Sequence, residues 1–398
     1  MAGEDDDERA SPEEAKDAVT GDGPERVSSS ASSAPEGSAK SPAAGTPSTA
    51  KKRGDVGSFA LALAVCALCL AIGESRYRKS PLPEAIAKTD TYTTKITNYT
   101  KRGGADVVIV GSSRIYHGAN APLLSELASN ALGKPTTVYN LGVPAGDLPG
   151  YVLSVDDVLR SGLKKPRLFV FGMSPIEWTC CPATSVPSSP KWIAAVRPRH
   201  AWTLFASASD PEEAFTDLTL GLFQSFGART HVLASVLRDT PPQGVANPGD
   251  LGWASFGWAV SPSVQASRAE GRANAYRPNF YPPKHFDRAG SDRYFRAALA
   301  RLEGAGVSVA IVGTPQARQL DINNDAASYY GEYVAYLTAQ AEAHGTTFVN
   351  YNDFPGLTNA DFGDGDHLLV GGSIKFSRLL SEEVIVPHLS GKKPQARR

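Results

Sequence analysis

Short apolar runs alternate with amphipathic stretches along the chain after residue 104. The runs of strand type are DVVIVG (106–111), TTVYNLG (136–142), PRLFVFGM (166–173), VSVAIVG (307–313) and TTFVNYND (346–353). Stretches with helical spacing of apolar residues lie between them, for example PLLSELASNAL and YVLSVDDVLRSG. Strands that are apolar on both faces and alternate with helices are typical of a parallel sheet covered on both sides. We therefore predict one α/β domain over 105–390, with a doubly wound, five-stranded parallel sheet.

A long segment, 178–290, separates the third predicted strand from the fourth and is rich in Trp, Pro and Arg. We interpret it as an inserted helical lobe. Its aromatic and basic part, from Trp178 to Trp202, could stack on sugars or lie near the membrane surface, although such residues more often form the core and rim of a lobe. The adjacent pair Cys180 and Cys181 would close a strained ring if oxidised, so no redox role is expected.

An uncharged stretch of eighteen residues, VGSFALALAVCALCLAIG (56–73), precedes the domain. As a helix it would be about 27 Å long, which just spans a bilayer. Lysine and arginine flank it on both sides, so we predict a transmembrane helix over 55–74 and a linker over 75–104. The apolar part of a cleaved signal peptide and a buried core helix are the alternatives. The twenty residues on each side hold four Lys or Arg each, so the positive-inside rule does not orient the helix.

The first 54 residues cannot form a packed core. Residues 1–26 hold ten acidic side chains against three basic ones, and the following stretch consists mainly of Ser, Ala, Pro and Gly. Such a segment cannot bury enough apolar area to offset its ordering entropy, so we predict a disordered tail over 1–54. An interaction tail is the functional alternative. A short basic tail, 391–398, ends the chain.

Composition excludes several classes of function. The formal net charge of the 398 residues is −1, which gives no global field for nucleic acid, and we expect no nucleic-acid partner. The four cysteines are too few for a disulfide scaffold and lack the spacing of a zinc site. No GxGxxG or GxxxxGK pattern follows a predicted strand. The sequence therefore predicts neither a metal nor a cofactor.

Polar side chains with the chemistry of a catalytic triad follow the first and the last predicted strands. Ser113 lies in GSSR after the first strand, and Asp364 and His367 lie in DFGDGDHL after the last. Ligands of open parallel sheets bind beyond the carboxyl ends of the strands, so these residues could meet there. Ser113 could instead be a helix N-cap, and the DGDH loop could be a turn or a metal-binding loop. Ser112 is the rival nucleophile, and Asp366 is the rival partner of the histidine.

Three more residues of this helix start are candidates. Arg114 could face a carboxylate or the substrate, although arginines in a first helical turn are usually surface residues. Tyr116 and His117 follow within a turn, and His117 could line the site, although an ordinary histidine with satisfied hydrogen bonds is the simpler interpretation.

At these residues the chain resembles the SGNH (GDSL-like) hydrolase superfamily. The resemblance covers roughly 105–175 and 305–385, and the insertion is unmatched. It implies a flavodoxin-like fold, with Ser113 as nucleophile and Asp364 and His367 as the family's Asp-x-x-His pair. In NLGVPAGDL, either Gly142 or Gly146 would supply the amide that stabilises the oxyanion. The family's third block carries an asparagine where this chain has Ser174, which leaves one oxyanion donor with a shorter reach.

The apolar N-terminal helix, the GSSR block and the FGMSP strand end are similar to the membrane-anchored branch of that superfamily. That branch includes the alginate O-acetyltransferase-like proteins and the D-alanyl-lipoteichoic acid transfer protein. The resemblance implies acyl transfer on an envelope polysaccharide or related glycan. It also implies a single-pass protein of the bacterial inner membrane with a periplasmic domain, and a possible multi-spanning acyltransferase partner. A simple carbohydrate esterase or lipase and a non-catalytic glycan-binding scaffold are the alternatives.

Overall fold

The computed structural model describes residues 55–79, 91–160, 162–179, 196, 198–208, 211–222, 249–257, 261–279, 286, 292–317, 324–352, 354 and 356–392. The predictions for the tail 1–54, for Cys180 and Cys181 and for most of the basic tail 391–398 lie outside these residues. The chain divides into two compact units, Met1–Gly57 and Ser58–Arg398. The second unit contains the sheet and the candidate site.

Five parallel strands form the sheet, which confirms the predicted α/β architecture. They are β1 (Val107–Val110), β2 (Val138–Asn140), β3 (Leu168–Met173), β4 (Ser308–Gly313) and β5 (Thr347–Asn350), in the order β2-β1-β3-β4-β5. This is the flavodoxin-like order, in which β1 and β3 border the point where the winding direction reverses. Each strand is shorter than the apolar run that predicted it, because the end residues already turn into the connecting loops.

Helices connect and cover the strands. They are α1 (Asp55–Lys79), α2 (Thr91–Lys101), α3 (Ser113–Gly118), α4 (Ala121–Leu132), α5 (Leu148–Val158), α6 (Ile176–Thr179), α7 (Pro198–Ser207), α8 (Pro211–Leu222), α9 (Pro262–Asn279), α10 (Asp292–Gly304), α11 (Asn324–Ala343), α12 (Val370–Leu379) and α13 (Val386–Leu389). A 3-10 turn (Asn359–Asp361) precedes α12, and a π-helical turn (Leu380–Ile385) joins it to α13. Asn120 caps α4 and Asp147 caps α5 by accepting backbone N–H groups, and each cap is followed by a proline in the first turn.

The two faces of the sheet bury two separate apolar cores, as the alternation of side chains along a strand requires. In β1, Val108 and Val110 point into one core, and Val107 and Ile109 into the other. Side chains of α2, α5, α10 and α11 complete the first core, and those of α3, α4 and α12 complete the second. With both faces covered, the carboxyl edge of the sheet is the place where the loops can build a site.

Part of the predicted linker 75–104 is helical. Residues 91–101 form α2, and its Tyr92, Lys95 and Tyr99 are buried. Residues three and four apart on a helix share a face, so this spacing gives α2 one buried side. The helix therefore belongs to the packed part of the chain rather than to a linker.

The first helix, α1, coincides with the apolar stretch predicted to span a membrane. Its large apolar side chains are exposed, namely those of Leu61, Leu63, Val65, Leu68, Leu70 and Ile72. Among the described residues, no helix combines the length and the apolar composition that crossing a membrane requires. The transmembrane helix over 55–74 stays a prediction.

Candidate active site

Ser113 is the first residue of α3, directly beyond the end of β1. The N-cap position belongs to Ser112, which has an extended backbone and a side chain that makes no capping hydrogen bond. The interpretation of Ser113 as an N-cap therefore does not hold in this structure. The turn from β1 into α3 leaves the Ser113 hydroxyl at the carboxyl edge of the sheet.

The side chains of Ser113, His367 and Asp364 form one connected chain of hydrogen-bonding groups. Nε2 of His367 lies 2.7 Å from Oγ of Ser113. Nδ1 of His367 lies 2.9 Å from Oδ2 of Asp364 and 3.1 Å from Oδ1. A histidine placed in this way can take the hydroxyl proton while the carboxylate fixes its orientation. The structure thus brings the three predicted residues together, and it pairs His367 with Asp364 and Ser113 rather than with their rivals.

The loop 361–368 holds the Asp364 carboxylate in place. Its Oδ1 accepts the backbone N–H groups of Asp366 and His367, at 3.1 Å and 2.9 Å. Burial favours a raised pKa for Asp364, but the hydrogen bond and charge of His367 and the charge of Arg272 outweigh it and hold the pKa well below its usual range. The carboxylate is therefore ionised wherever the imidazole is needed as a base.

Residues 249–257, from the insertion, form a wall beside the histidine. The Phe256 ring stacks on the His367 ring with 4.7 Å between centroids. His117 meets the same ring edge-on at 5.4 Å, and its Nδ1 lies 2.9 Å from the Ala254 carbonyl oxygen. The Trp253 indole N–H donates to the His117 carbonyl at 2.9 Å. These contacts restrict how far the His367 ring can tilt.

His117 should make the protein sensitive to acid. Burial lowers the pKa of His117 from 6.5 to about 4. The unfolded chain then takes up the proton first, so stability is full above about pH 6.5 and is lost as the pH falls toward about 4. His117→Asn keeps a donor for the Ala254 carbonyl but cannot be protonated. Between about pH 7 and about pH 4.5, we expect the wild type to lose about 2 kcal/mol more unfolding free energy than this variant.

Urea unfolding at the two pH values measures this difference. His344→Asn is the control, because His344 follows the end of α11 and pairs with the exposed Glu303 carboxylate. Equal losses in the wild type and His117→Asn would show that His117 does not carry the acid sensitivity.

The backbone N–H groups of the two predicted oxyanion donors, Gly142 and Gly146, already donate hydrogen bonds within the protein. The Gly142 N–H donates to Oδ1 of Asn140 at 2.8 Å, and the Gly146 N–H donates to the Val143 carbonyl at 3.0 Å. Gly146 packs so closely on the backbone at Ser112 that a Cβ would lie 3.1 Å from the Ser112 Cα. An oxyanion would have to replace one of these bonds. The oxyanion role of Gly142 and Gly146 stays a prediction.

Ser174 lies two residues before α6 and is bonded to Glu177 of that helix in this structure. Its backbone N–H donates to Oε2 of Glu177 at 2.6 Å, and its hydroxyl donates to the same oxygen. Both groups are thus directed toward the protein interior. Its role as a replacement oxyanion donor stays a prediction.

Arg114 is buried rather than on the surface. Its guanidinium pairs with the Asp366 carboxylate and donates to Oε1 of Gln316 at 3.2 Å. Its charge also acts on Glu177, whose pKa burial nevertheless raises above the usual value. Arg114 thus connects the loop after β5 with the segment after β4. This buried pairing favours a structural role over substrate binding.

Glu177→Gln should destabilise the fold. The change removes the charge that faces Arg114 and replaces an acceptor of the Ser174 hydrogen bonds with an amide. Breaking one side of a buried ionic cluster is costly, and we expect a loss of about 2 to 3 kcal/mol in the free energy of unfolding. Urea denaturation measures it. Glu126→Gln, on the exposed face of α4, should change stability by less than about 0.5 kcal/mol. Equal effects would contradict this account of the cluster.

A buried lysine supports the loop of the second block. Lys95 of α2 donates from Nζ to the Gly142 carbonyl and lies 4.0 Å from the centre of the Tyr116 ring. Burial lowers the pKa of Lys95 well below its usual value. Lys95 therefore joins the helix before the sheet to the loop that faces the nucleophile.

Four residues of the site were missed by sequence reasoning. The SPIE sequence, with Glu three residues after Ser174, is a capping-box pattern that could have revealed Glu177. Lys95, Phe256 and Arg272 carry no comparable local signal, because each reaches the site from a distant part of the chain. Within the described residues, no group of three or more His, Cys, Asp or Glu side chains could hold a metal ion.

Comparison with known proteins assigns this chain to no family. No protein-family model matches the chain, and no curated protein matches its sequence. Nine chains among solved structures match it. One is the crystal structure of a "putative acylhydrolase" from Bacteroides fragilis, which is 10% identical and has a TM-score of 0.34. The match covers 74% of this chain and 98% of that one. A likeness this distant carries no argument about function.

Proposed function

We propose that the protein is a serine-dependent enzyme that transfers acyl groups from esters. The single observation behind this proposal is the connected path from the Ser113 hydroxyl through the His367 imidazole to the Asp364 carboxylate, with 2.7 Å and 2.9 Å between the bonded atoms. A serine, an imidazole and a carboxylate in this order are the parts that an activated hydroxyl nucleophile needs.

The reaction proceeds in two halves. His367 Nε2 takes the proton of Ser113 as Oγ attacks the ester carbonyl carbon, and the carbonyl electron pair moves onto oxygen. When the tetrahedral intermediate collapses, the C–O bond to the alcohol breaks and the alcohol leaves with the proton from His367. Water or a sugar hydroxyl then attacks the acyl-serine, with His367 again taking and returning the proton. Asp364 stabilises the imidazolium that forms in each half.

The oxyanion requires donors near Ser113. The backbone amide of Ser113 and that of Gly142 or Gly146 fill this role in the proposal, and the Gly142 or Gly146 amide exchanges its present acceptor for the oxyanion. Such an exchange costs part of the stabilisation.

The substrate in this proposal is an O-acyl group, most simply acetyl, of an envelope polysaccharide or related glycan, which the enzyme adds or removes. The resemblance to the membrane-anchored branch supports this choice and also supports a multi-spanning acyltransferase as a partner. The predicted helix over 55–74 anchors the protein in the bacterial inner membrane, with the domain on the periplasmic side. The exposed apolar side chains of α1 favour an anchor, and protease access in intact cells tests the side.

Two other functions remain as outcomes of the test. A simple carbohydrate esterase or lipase would hydrolyse an ester quickly without any acceptor. A non-catalytic glycan-binding scaffold would bind glycan but show no turnover that depends on Ser113.

The test compares the full-length wild type with Ser113→Ala and Ser112→Ala in detergent, with an aryl acetate as donor and with or without an acetylatable glycan. We expect Ser112→Ala to keep most of the activity and Ser113→Ala to lose it, with transfer rising when the glycan is present. Release of acetate at the same rate without glycan favours the esterase. Full activity of Ser113→Ala would overturn the proposal.

A further inference from the structure

An arginine from the insertion contacts the carboxylate of the triad. Arg272 lies on α9, and its Nη2 and Nε donate to Oδ2 of Asp364 at 2.6 Å and 3.2 Å. The same oxygen lies 2.9 Å from Nδ1 of His367. One carboxylate oxygen is thus shared between the imidazole and a guanidinium. The side chain of Arg272 is 36% exposed, whereas that of Asp364 is 7% exposed.

The position of Arg272 is fixed by the way α9 docks. Gln265, seven residues earlier on the same helix, donates from its side-chain amide to the carbonyls of Asn359 and Phe362. Ala269 and Ala273, on the same face, are buried. Positions spaced four and seven apart share one side of a helix, so α9 contacts the loop 361–368 and the turn before it along this side.

Arg272 also completes a row of alternating charges around the nucleophile. Its Nη1 lies 3.7 Å from the Asp366 carboxylate, which in turn pairs with Arg114. The row therefore runs from Arg114 through Asp366 and Arg272 to Asp364. It joins the insertion to the loop 361–368 through charged groups as well as through apolar packing.

We propose that Arg272 is a positioning residue that holds the Asp364 carboxylate and sets the pH range in which Ser113 is reactive. This inference rests on the proposed function, since it concerns the same site. The blocks that resemble the superfamily contain no counterpart of Arg272, because it belongs to the insertion.

The direction of the effect follows from charge. A positive guanidinium on Oδ2 offsets part of the Asp364 charge, so it reduces the stabilisation that Asp364 gives to the imidazolium. Without Arg272, the full carboxylate charge would act on the imidazolium. The acidic limb of the reactivity profile should then move upward.

Other ionisable residues lie near His367, and they are the same in the wild type and in the Arg272 variants. Asp364 and His117 contact the ring of His367, Asp366 lies on the same loop and pairs with Arg114, and the charge of Lys95 acts on His117. His117 is neutral above about pH 4, because burial lowers its pKa to about 4. All of these residues are present in the wild type and in the variants, so a moved profile reports the loss of Arg272 together with its contacts to Asp364 and Asp366.

The test measures the rate at which a fluorophosphonate labels Ser113 in the full-length protein as a function of pH. The variants are Arg272→Gln and Arg272→Met, which are neutral, and Arg272→Lys, which keeps a charge. Arg268→Gln is the matched control, because Arg268 lies one turn earlier on α9 and is exposed. Two neutral variants are used so that the test still stands if one of them does not fold. Circular dichroism checks the folding of each variant.

In the neutral variants, we expect the midpoint of the acidic limb to rise by about one pH unit. In Arg272→Lys, the midpoint should return most of the way to the wild-type value. In Arg268→Gln, the midpoint should equal the wild-type value. A purely structural arginine would lower the labelling rate at every pH and leave the midpoint in place, and that result overturns the inference. If wild-type Ser113 is not labelled at any pH, the proposed function fails, and this inference with it.

Discussion

His367→Ala should lower kcat/KM for ester hydrolysis by about 10³ to 10⁴-fold. The variant lacks the imidazole whose Nε2 lies 2.7 Å from the Ser113 hydroxyl. Without a base the hydroxyl keeps its proton and is a poor nucleophile. Steady-state hydrolysis of an aryl acetate measures the change.

The control for this variant is His344→Ala, which removes a histidine that pairs with Glu303 rather than with the triad. It should keep near wild-type activity. Asp364→Asn should lower kcat/KM almost as much as His367→Ala does, because the imidazole loses the charge that orients it and stabilises its protonated form. If His367→Ala retained more than about a tenth of the activity, His367 would not be the base.

Gly252→Ala should be the most damaging single change to the wall of the site. Gly252 adopts a φ of 81°, in the left-handed region, and a Cβ there would collide with the carbonyl oxygen of Asn140. The backbone would have to move away from β2, where the Leu251 carbonyl accepts the Asn140 N–H at 3.0 Å. We expect a loss of about 3 kcal/mol in unfolding free energy, measured by urea denaturation.

The same substitution should also weaken catalysis in protein that remains folded, because Phe256 on this segment stacks on His367. Gly271→Ala is the control, because Gly271 lies on α9. Apart from its chain neighbours and the backbone of its own helix, no atom of the described residues lies within 4 Å of an added Cβ. Alanine is the better helix former, so Gly271→Ala should be neutral or more stable by up to about 1 kcal/mol. Equal destabilisation by both changes would show that the close approach at Gly252 is not the cause.

The sheet and the residues at its edge could be predicted because their signals are local. Each strand is a short run that is apolar on both faces. Ser113 follows the first of these runs directly, and His367 lies in the loop after the last. Parallel strands bring their carboxyl ends to one edge, so topology alone joined positions more than 250 residues apart.

The rest of the site depended on where the insertion folds back. The sequence around Arg272 is that of an ordinary surface helix, and the sequence around Phe256 is that of an ordinary loop. A contact with a residue far away in the chain produces no pattern in the residues next to it. Lys95 lies in a segment interpreted as a linker, although the spacing of Tyr92 and Tyr99 around it gives α2 a buried face. The family position of Ser174 suggested an oxyanion donor, whereas Glu177 three residues later determines what Ser174 bonds.

The most direct test of the central claim is to react the full-length protein with a fluorophosphonate and locate the adduct by peptide mass spectrometry. We expect one adduct, on the Ser113 oxygen, which forms in Ser112→Ala and is lost in His367→Ala. An adduct on Ser112, or a Ser113 adduct that forms equally well without His367, would contradict it.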